Sequence, residues 1–526
     1  MMDDFAGHYG FSDDSFGEED ETLLNEDSVQ PLVVPVQYDS SEDDEHEDDC
    51  EEDDEQSWDE DVIPYDRFVF AEESGPDDSA QNCTRPIDCY QLFLTSELLD
   101  LMVTETNRYA KEKMVVRNKD LTDTTVEEMK RFLGICLYMG IVELPSMRDY
   151  WSTKPIFGCS VATKIMARNR FEVLLSCLHF VDNENADKES RLYKIQPVLD
   201  LLNTSFQRMY KPEKEICIDE TMVPFKGRIV FKQFNKSKSH KYGVKLFRLC
   251  FKGAYTLKVK VYAGKDSIRT GSVADAVVME LMKGYLDQGR DLCTDSWYTS
   301  LSLANSLLAR KTNLIGIIRK CRKGIPLAVK NRPLKKGDIH FQQNNEGFCF
   351  WRDKREIYMP STRHDGSCGV NEKPKVVDDY NKMKGFVDHS DQMASYTPFV
   401  RKTAKWYIRL FFHLLTQTAL VNAWMLYNQN SRMKFNDFKI AVAEILMDLD
   451  GKNSTGHGKK RKLIEIPEAD SNGRRKCKSC YSKMVNDFKR QYARVHAKKV
   501  KTQCSICHGF YCLQCFQDVH KSCGST

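Results

Sequence analysis

Lysine and arginine are absent from the first 66 residues, although the 526-residue chain contains 77 of them. The same segment holds 27 acidic residues, so the rest of the chain carries 77 bases against 50 acids, an excess that the formal net charge of +0 conceals. The start, Met1-Met2-Asp3-Asp4, offers neither a basic nor an apolar leader region, and no secretory signal peptide is expected. Long apolar runs are missing too. The nearest, Leu410 to Tyr427, is broken by His413, Gln417 and Asn422, so a soluble chain with no membrane partner is expected. A basic body beside an acidic tail points instead to a polyanion, most often nucleic acid. At roughly 150 residues per domain, the length predicts three or four folded units.

Cysteine is plentiful, with 19 in all, and seven of them fall in the last 50 residues. The other twelve show no pairing rhythm, which suggests a reducing compartment and makes the terminal group metal-binding rather than disulfide-bonded. Residues 1 to about 80 are acidic and Ser-rich, and such a segment buries too little to offset its ordering entropy; it is expected to be disordered.

Helical periodicity runs from about 92 to 211. Thr125 and Glu128 form a capping-box pattern ahead of Val126, Met129, Leu133, Cys136 and Leu137 on one face. Near residue 213 the period becomes two. Lys214 to Thr221 alternates in part, and Thr256 to Tyr262 sets Leu257, Val259 and Val261 opposite Lys258 and Lys260. Then follow a helix near Val273 to Leu286, a strand Asp291 to Asp295, a helix near Ser300 to Arg310 and a strand Leu314 to Ile318. Three strands, then helix, strand, helix and strand, predict a mixed α/β sheet. Residues 325 to 380 carry Gly, Pro and short aromatic strands with little helix, as an insertion would. Helical period returns after about 385, with Tyr407, Leu410, Phe411 and Leu414 on one face. Ser454 to Gly458 reads as a linker into the bases Lys459 to Lys462.

Acidic residues fall at the ends of two expected strands, Asp219 and Asp295, and on a later helix, Asp388 and Asp391. Carboxylates from separated segments can hold two divalent cations that activate water on one side of a phosphodiester and stabilise the leaving oxygen on the other. Hard oxygen ligands suit Mg²⁺. Asp388 and Asp391, three apart, share a helix face. Glu220 is expected on the opposite strand face from Asp219 and is left out of the set. Taken singly, any of these acids is more often a cap or a surface residue.

Five segments in order carry a family resemblance: Asp-Glu-Thr-Met-Val-Pro-Phe-Lys-Gly-Arg (219–228), His-Lys-Tyr-Gly-Val-Lys (240–245), Thr-Asp-Ser-Trp-Tyr-Thr-Ser (294–300), Lys-Gly-Phe-Val-Asp-His-Ser-Asp-Gln-Met (384–393) and Arg-Lys-Thr-Ala-Lys-Trp (401–406). From about residue 90 to the C-terminus the chain resembles piggyBac-like transposases. The resemblance implies an α/β multidomain protein: an RNase H-like mixed sheet with an inserted β-rich domain, flanked by all-α dimerisation and DNA-binding segments and closed by a small cross-brace zinc domain. It divides the chain into an acidic tail (1–85), a first helical part (86–212), a first part of the catalytic core (213–324), the insertion (325–380), the last core helix (381–396), a second helical part (397–453), a basic linker (454–476) and a cysteine-rich domain (477–526).

The family's catalytic aspartates map onto Asp219, Asp295 and Asp388, with an additional essential one on Asp391, and the resemblance implies Mg²⁺ bound by all four. Trp406 matches a Trp that stacks on a base near the scissile end, and Arg401, Lys402, Lys405 and Arg409 around it are expected at phosphates. The implied activity is cut-and-paste transposition: nicking at transposon ends, hairpin formation and opening, and joining at a TTAA target, by a nuclear homodimer acting on double-stranded DNA with two Mg²⁺ and no small-molecule cofactor.

The terminal pairs Cys477 and Cys480, Cys504 and Cys507, Cys512 and Cys515 are followed by His520 and Cys523. Each short loop presents two ligands to one tetrahedral Zn²⁺, so four pairs imply two zinc ions, as in a RING-like cross-brace. The eighth ligand stays open among Cys523, His508 and His496. Two other functions compete: a domesticated, catalytically silent DNA-binding descendant, and a ubiquitin ligase that uses the cross-brace.

Overall fold

The computed structural model describes residues 68–449 and 475–521 with the short strands Asp39–Ser40 and Leu463–Glu465, less residues 118–121, 159–160, 236–240, 265–271, 326–332, 334, 336, 344–346, 353–355, 370–372, 401, 489 and 505–508. Most of the acidic tail and the Lys459 to Lys462 cluster lie outside the described residues. The chain forms two compact units, residues 1–447 and 448–526.

The first unit begins with helices α1 (Pro86–Gln91), α2 (Ser96–Arg117), α3 (Val126–Ile141), α4 (Arg168–Cys177) and α5 (Gln196–Met209). Thr125 caps α3, its hydroxyl accepting from the Glu128 N–H at 3.2 Å. The Glu128 carboxylate turns instead to the Thr124 hydroxyl and to Arg170 of α4, at 2.8 and 2.6 Å. One polar side chain thus ties two helices together. Met129, Leu133, Cys136 and Leu137 all lie in the core.

The sheet follows: β1 (Glu215–Pro224), β2 (Tyr242–Phe251), β3 (Tyr255–Val261), α6 (Val273–Leu281), β4 (Asp291–Thr294), α7 (Leu301–Leu308) and β5 (Asn313–Gly316). β1, β2 and β3 form an antiparallel meander, while β4 pairs parallel with β1 and β5 parallel with β4. The order is therefore β3-β2-β1-β4-β5, a mixed α/β sheet. Leu257, Val259 and Val261 are buried as their alternation predicts, and Lys258 and Lys260 reach Glu280 of α6. β2 shows no such alternation, because it is buried on both faces from Gly243 to Phe251.

Beyond β5, strands β6 (Ile339–Gln343), β7 (Gly347–Arg352) and β8 (Glu356–Ser361) make a second meander. It joins β5 where Ser361 faces Ile315, so these strands extend the main sheet. Helix α8 (Lys375–Met383) starts inside the segment expected to hold little helix, and α9 (Phe386–Ser395) follows it. Alternate residues serve opposite cores. Ile216, Ile218, Leu292 and Leu314 belong to the large core shared with the helices, whereas Cys217, Cys293 and Ile315 join Val376, Tyr380, Met383 and Val387 of α8 and α9.

Helix α10 (Trp406–His413) runs through a π-turn, Leu414–Thr418, into α11 (Ala419–Tyr427), and α12 (Phe435–Leu446) closes the unit. Asn422 of α11 bonds both the N–H and the carbonyl of Thr256 at 2.8 Å, and Asn203 of α5 does the same at Val259. Two amide side chains thus satisfy backbone groups of β3. Among the described residues no helix is long and apolar enough to cross a membrane.

The second unit holds β9 (Arg475–Lys476), α13 (Lys478–Asp487), α14 (Arg490–His496), β10 (Lys499–Val500), β11 (Thr502–Cys504) and α15 (Leu513–Lys521). Its small core consists largely of Cys477, Cys504, Cys512 and Cys515 with Val500 and Tyr511.

Candidate functional site

Parallel pairing of β1 with β4 sets Cys217 beside Cys293 and Ile218 beside Thr294, so the next residues of interest, Asp219 and Asp295, emerge side by side. The carboxylates of Asp219, Glu220 and Asp295 lie within 4.8 Å of one another. Asp388, exposed in the first turn of α9, lines the same pocket of about 120 Å³ together with Asp219, Asp295, Cys217, Cys293, Tyr380 and Lys384.

Glu220 does not line that pocket, yet its carboxylate stands in the acidic cluster. Strand alternation turns its Cβ away from Asp219, but Asp295 stands past the end of β4, where a longer glutamate arm reaches it. Lys245, only 5% exposed, lies 3.7 Å from the Glu220 carboxylate and 4.5 Å above the Trp297 ring. Burial, and then the Glu220 charge, pushes the Asp295 acid above the usual carboxylate range, while the Trp297 and Tyr298 N–H groups pull it down. A divalent cation meets that electrostatic demand. Crowded hard oxygens at a pocket mouth also fit one that keeps some of its waters.

Asp391 takes a different place. Its carboxylate is ion-paired with Arg248, whose side chain is 0% exposed, and it accepts from the Thr221 hydroxyl at 2.9 and 2.8 Å. Arg248 also donates to Ser390 at 2.6 Å and to Thr256. Asp391 is absent from the residues lining the pocket. The group anchors α9 to β1, β2 and β3, with Asp388 one turn away.

The residues expected at DNA divide in the same way. Trp406 is half-buried, its ring edge-on to Phe231 at 5.2 Å. Lys405 donates to the Ser176 carbonyl at 2.9 Å and lies over the Tyr109 ring, so it caps the end of α4. Arg409 donates to the Pro224 carbonyl at 3.0 Å, and burial lowers its pKa. Lys402 is exposed, and Arg401 lies outside the described residues.

In the second unit, Cys477, Cys480, Cys512 and Cys515 bring their sulfurs within 4.8 Å of one another. Three of the six Sγ–Sγ separations are 3.5 to 3.9 Å, close to the edge of about 3.8 Å of a tetrahedron with Zn–S bonds of about 2.3 Å. Burial would raise the Cys477 thiol, but N–H groups of Cys480 and Cys512 aimed at its sulfur bring it down to about 7. The first and third pairs thus meet in one four-thiol group. Cys504 is buried in the same small core but is not one of the four; Cys507, Cys523, the side chain of His520, and His508 lie outside the described residues. His496 stacks on Tyr492 at 4.2 Å.

A family model described as Transposase IS4 matches residues 85–424. The chain is 25% identical to the human PiggyBac transposable element-derived protein 2 over 451 residues, 78% of this chain and 75% of that one. It is 24% identical to the human PiggyBac transposable element-derived protein 3 over 488 residues, 85% of this chain and 77% of the relative. A cryo-EM structure of a piggyBac transposase synaptic complex with hairpin DNA matches with a TM-score of 0.66 at 24% identity, covering 84% of this chain and 98% of that one.

Proposed function

Because the chain belongs to the piggyBac-like transposase family, we propose that it is a cut-and-paste DNA transposase that nicks transposon ends, forms and opens DNA hairpins and joins the ends at TTAA-type targets. The observation that carries this reading is the convergence of Asp219, Asp295 and Asp388 on one pocket, with Asp219 in the middle of β1 and Asp295 just past the end of β4, where the ladder between the two strands ends. Two Mg²⁺ ions, when bound, supply a polarised nucleophilic water or 3′-OH and charge stabilisation at the leaving oxygen. In this reading Asp219, Asp295 and Asp388 hold the cations, and Asp391 acts with them by fixing α9. Lys245 balances the Glu220 charge. Trp406 offers a stacking face, and Arg401 and Lys402 offer phosphate contacts, while Lys405 and Arg409 set the helix that carries Trp406.

The proposal extends to the architecture. The sheet is the RNase H-like core, residues 325–380 are its insertion, the flanking helical parts (86–212 and 397–453) serve dimerisation and DNA binding, and the cysteine-rich domain holds two Zn²⁺. The protein acts as a homodimer in the nucleus. A second reading, a silent DNA-binding descendant, is favoured by relatives that are themselves named as transposable element-derived.

Mg²⁺-dependent nicking of a labelled cognate-end duplex separates the two. Cleavage by wild type that vanishes in Asp295→Asn supports the transposase. Binding without cleavage by the wild type leaves the silent descendant.

A further inference from the structure

One base stands among the acids. Of the described residues lining the pocket of Asp219, Asp295 and Asp388, Lys384 alone carries a positive charge. It ends α8, its N–H donating to the Tyr380 carbonyl at 2.9 Å, and a single residue, Gly385, separates it from α9. The Cys217 sulfur lies 4.0 Å from the Lys384 carbonyl, so the joint between the two helices is seated against β1, two residues before Asp219. From that joint the exposed Lys384 side chain runs beside the Tyr380 ring, with Nζ 5.7 Å from its centroid. Neighbouring bases are already matched with acids. Lys245 faces Glu220 at 3.7 Å, Arg248 is paired with Asp391, and Lys382, two positions before Lys384, is held by Asp379 at 2.7 Å. Lys384 makes no ion pair with any described residue, although Asp388 stands only four positions on.

We infer that Lys384 binds the DNA strand that enters this pocket, its ammonium donating to a non-bridging oxygen of the scissile phosphodiester. The inference rests on the proposed function and adds to it a substrate contact made by the protein itself. A pocket walled by carboxylates repels a phosphodiester until cations neutralise the acids, and even then nothing in an acidic wall donates to phosphate oxygens. An ammonium is a compact charge with three donors, suited to that task. Lys384 and Asp388 flank Gly385 on one short joint, so a phosphate held by the lysine lies within reach of the acid. No bond is made or broken at Lys384. It fixes the phosphate where the acids and their cations act on it.

The test pairs a protein change with a change at one DNA atom. Full-length protein is titrated with two cognate-end duplexes, one all-phosphate and one with a neutral methylphosphonate at the scissile position, in Ca²⁺ instead of Mg²⁺ so that binding is read without cutting. Wild type should bind the methylphosphonate duplex roughly tenfold more weakly. Lys384→Ala should bind the all-phosphate duplex weakly to a similar degree, and its own ratio between the two duplexes should shrink to about threefold or less. Lys384→Arg restores the wild-type ratio. Lys382→Ala keeps it, because that charge is already committed to Asp379. A merely structural role for Lys384 would weaken both duplexes alike and leave the ratio unchanged. A wild-type ratio in Lys384→Ala, or a wild type indifferent to the methylphosphonate, overturns the inference. Absence of nicking by wild type in Mg²⁺ overturns the proposed function and leaves the binding comparison standing.

Discussion

Arg248 and Asp391 form an ion pair between the middle of a strand buried from Gly243 to Phe251 and the helix that presents Asp388. The guanidinium is 0% exposed and donates as well to Ser390, while Thr221 donates to the same carboxylate. Removing Asp391 strands the buried guanidinium without water, at a cost of about 3–5 kcal/mol, so Asp391→Leu is expected to lose that much in chemical denaturation. Arg248→Met leaves a carboxylate that is 30% exposed and should lose less. Asp391→Asn, which keeps acceptor and donor atoms near Arg248, should lose less stability than Asp391→Leu. A wild-type denaturation midpoint for Asp391→Leu would show that the pair does not hold α9.

Glu220 shares the acidic cluster with Asp219 and Asp295. In Glu220→Gln the Mg²⁺ concentration for half-maximal nicking should rise roughly 10–100-fold, the range for groups that tune a metal site without dominating it. The maximal rate at saturating Mg²⁺ should fall far less than in Asp295→Asn. A Mg²⁺ titration that overlays on wild type would remove Glu220 from the site.

Gly140 of α3 faces the loop between α9 and α10 so closely that a Cβ there would lie 2.4 Å from the Thr397 carbonyl oxygen and 3.0 Å from the Phe399 nitrogen. Both obstacles are backbone, so the chain itself must shift. Gly140→Ala should destabilise the first unit by about 1–3 kcal/mol despite its better helix propensity, read as a lowered melting temperature. A stabilised Gly140→Ala protein would contradict the close approach.

Lys439 of α12 is 2% exposed and donates to the Thr397 carbonyl and hydroxyl oxygens, and burial lowers its pKa to about 7 against a pull upward from Glu143. The folded state therefore binds this proton less tightly than the unfolded chain. Between pH about 7 and the ordinary lysine value near 10.4 the unfolded state holds more protons, so stability contributed by this site rises with pH across that window. Below about pH 7 the full penalty of charging the buried amine is present. Lys439→Met should flatten the rise in a denaturation series against pH; an unchanged slope would assign the pH dependence elsewhere.

Chelation tests the second unit separately. A core made largely of four thiols has little apolar surface to fall back on. Removing zinc with a strong chelator should abolish amide-exchange protection over residues 475–515 and leave the first unit's protection intact. Cys515→Ser should have the same effect at ordinary zinc concentrations. Protection that survives chelation would mean that the fold does not depend on metal.

Much of this protein is written in local pattern. The period-two run of Leu257, Val259 and Val261 against Lys258 and Lys260, the helical face of Tyr407, Leu410, Phe411 and Leu414, and the Thr125 cap each depend on neighbours within a few residues, and each lies where its pattern places it. The pairs Cys477 with Cys480 and Cys512 with Cys515 were legible for the same reason, since one short loop presents two thiols.

What the tertiary structure alone decided involves partners distant in sequence. β2 carries no alternation because both of its faces are covered, so periodicity had nothing to detect. Glu220 joined the acids because Asp295 stands past the end of its strand, and Lys405 and Arg409 went to the carbonyls of Ser176 and Pro224, from α4 and β1. Arg248 found Asp391 across 143 positions, and Cys217 found Cys293 only when two parallel strands came into register. A charge or a thiol shows its type in the sequence, but its partner is set by which segments the cores bring together, and that is a property of the whole fold.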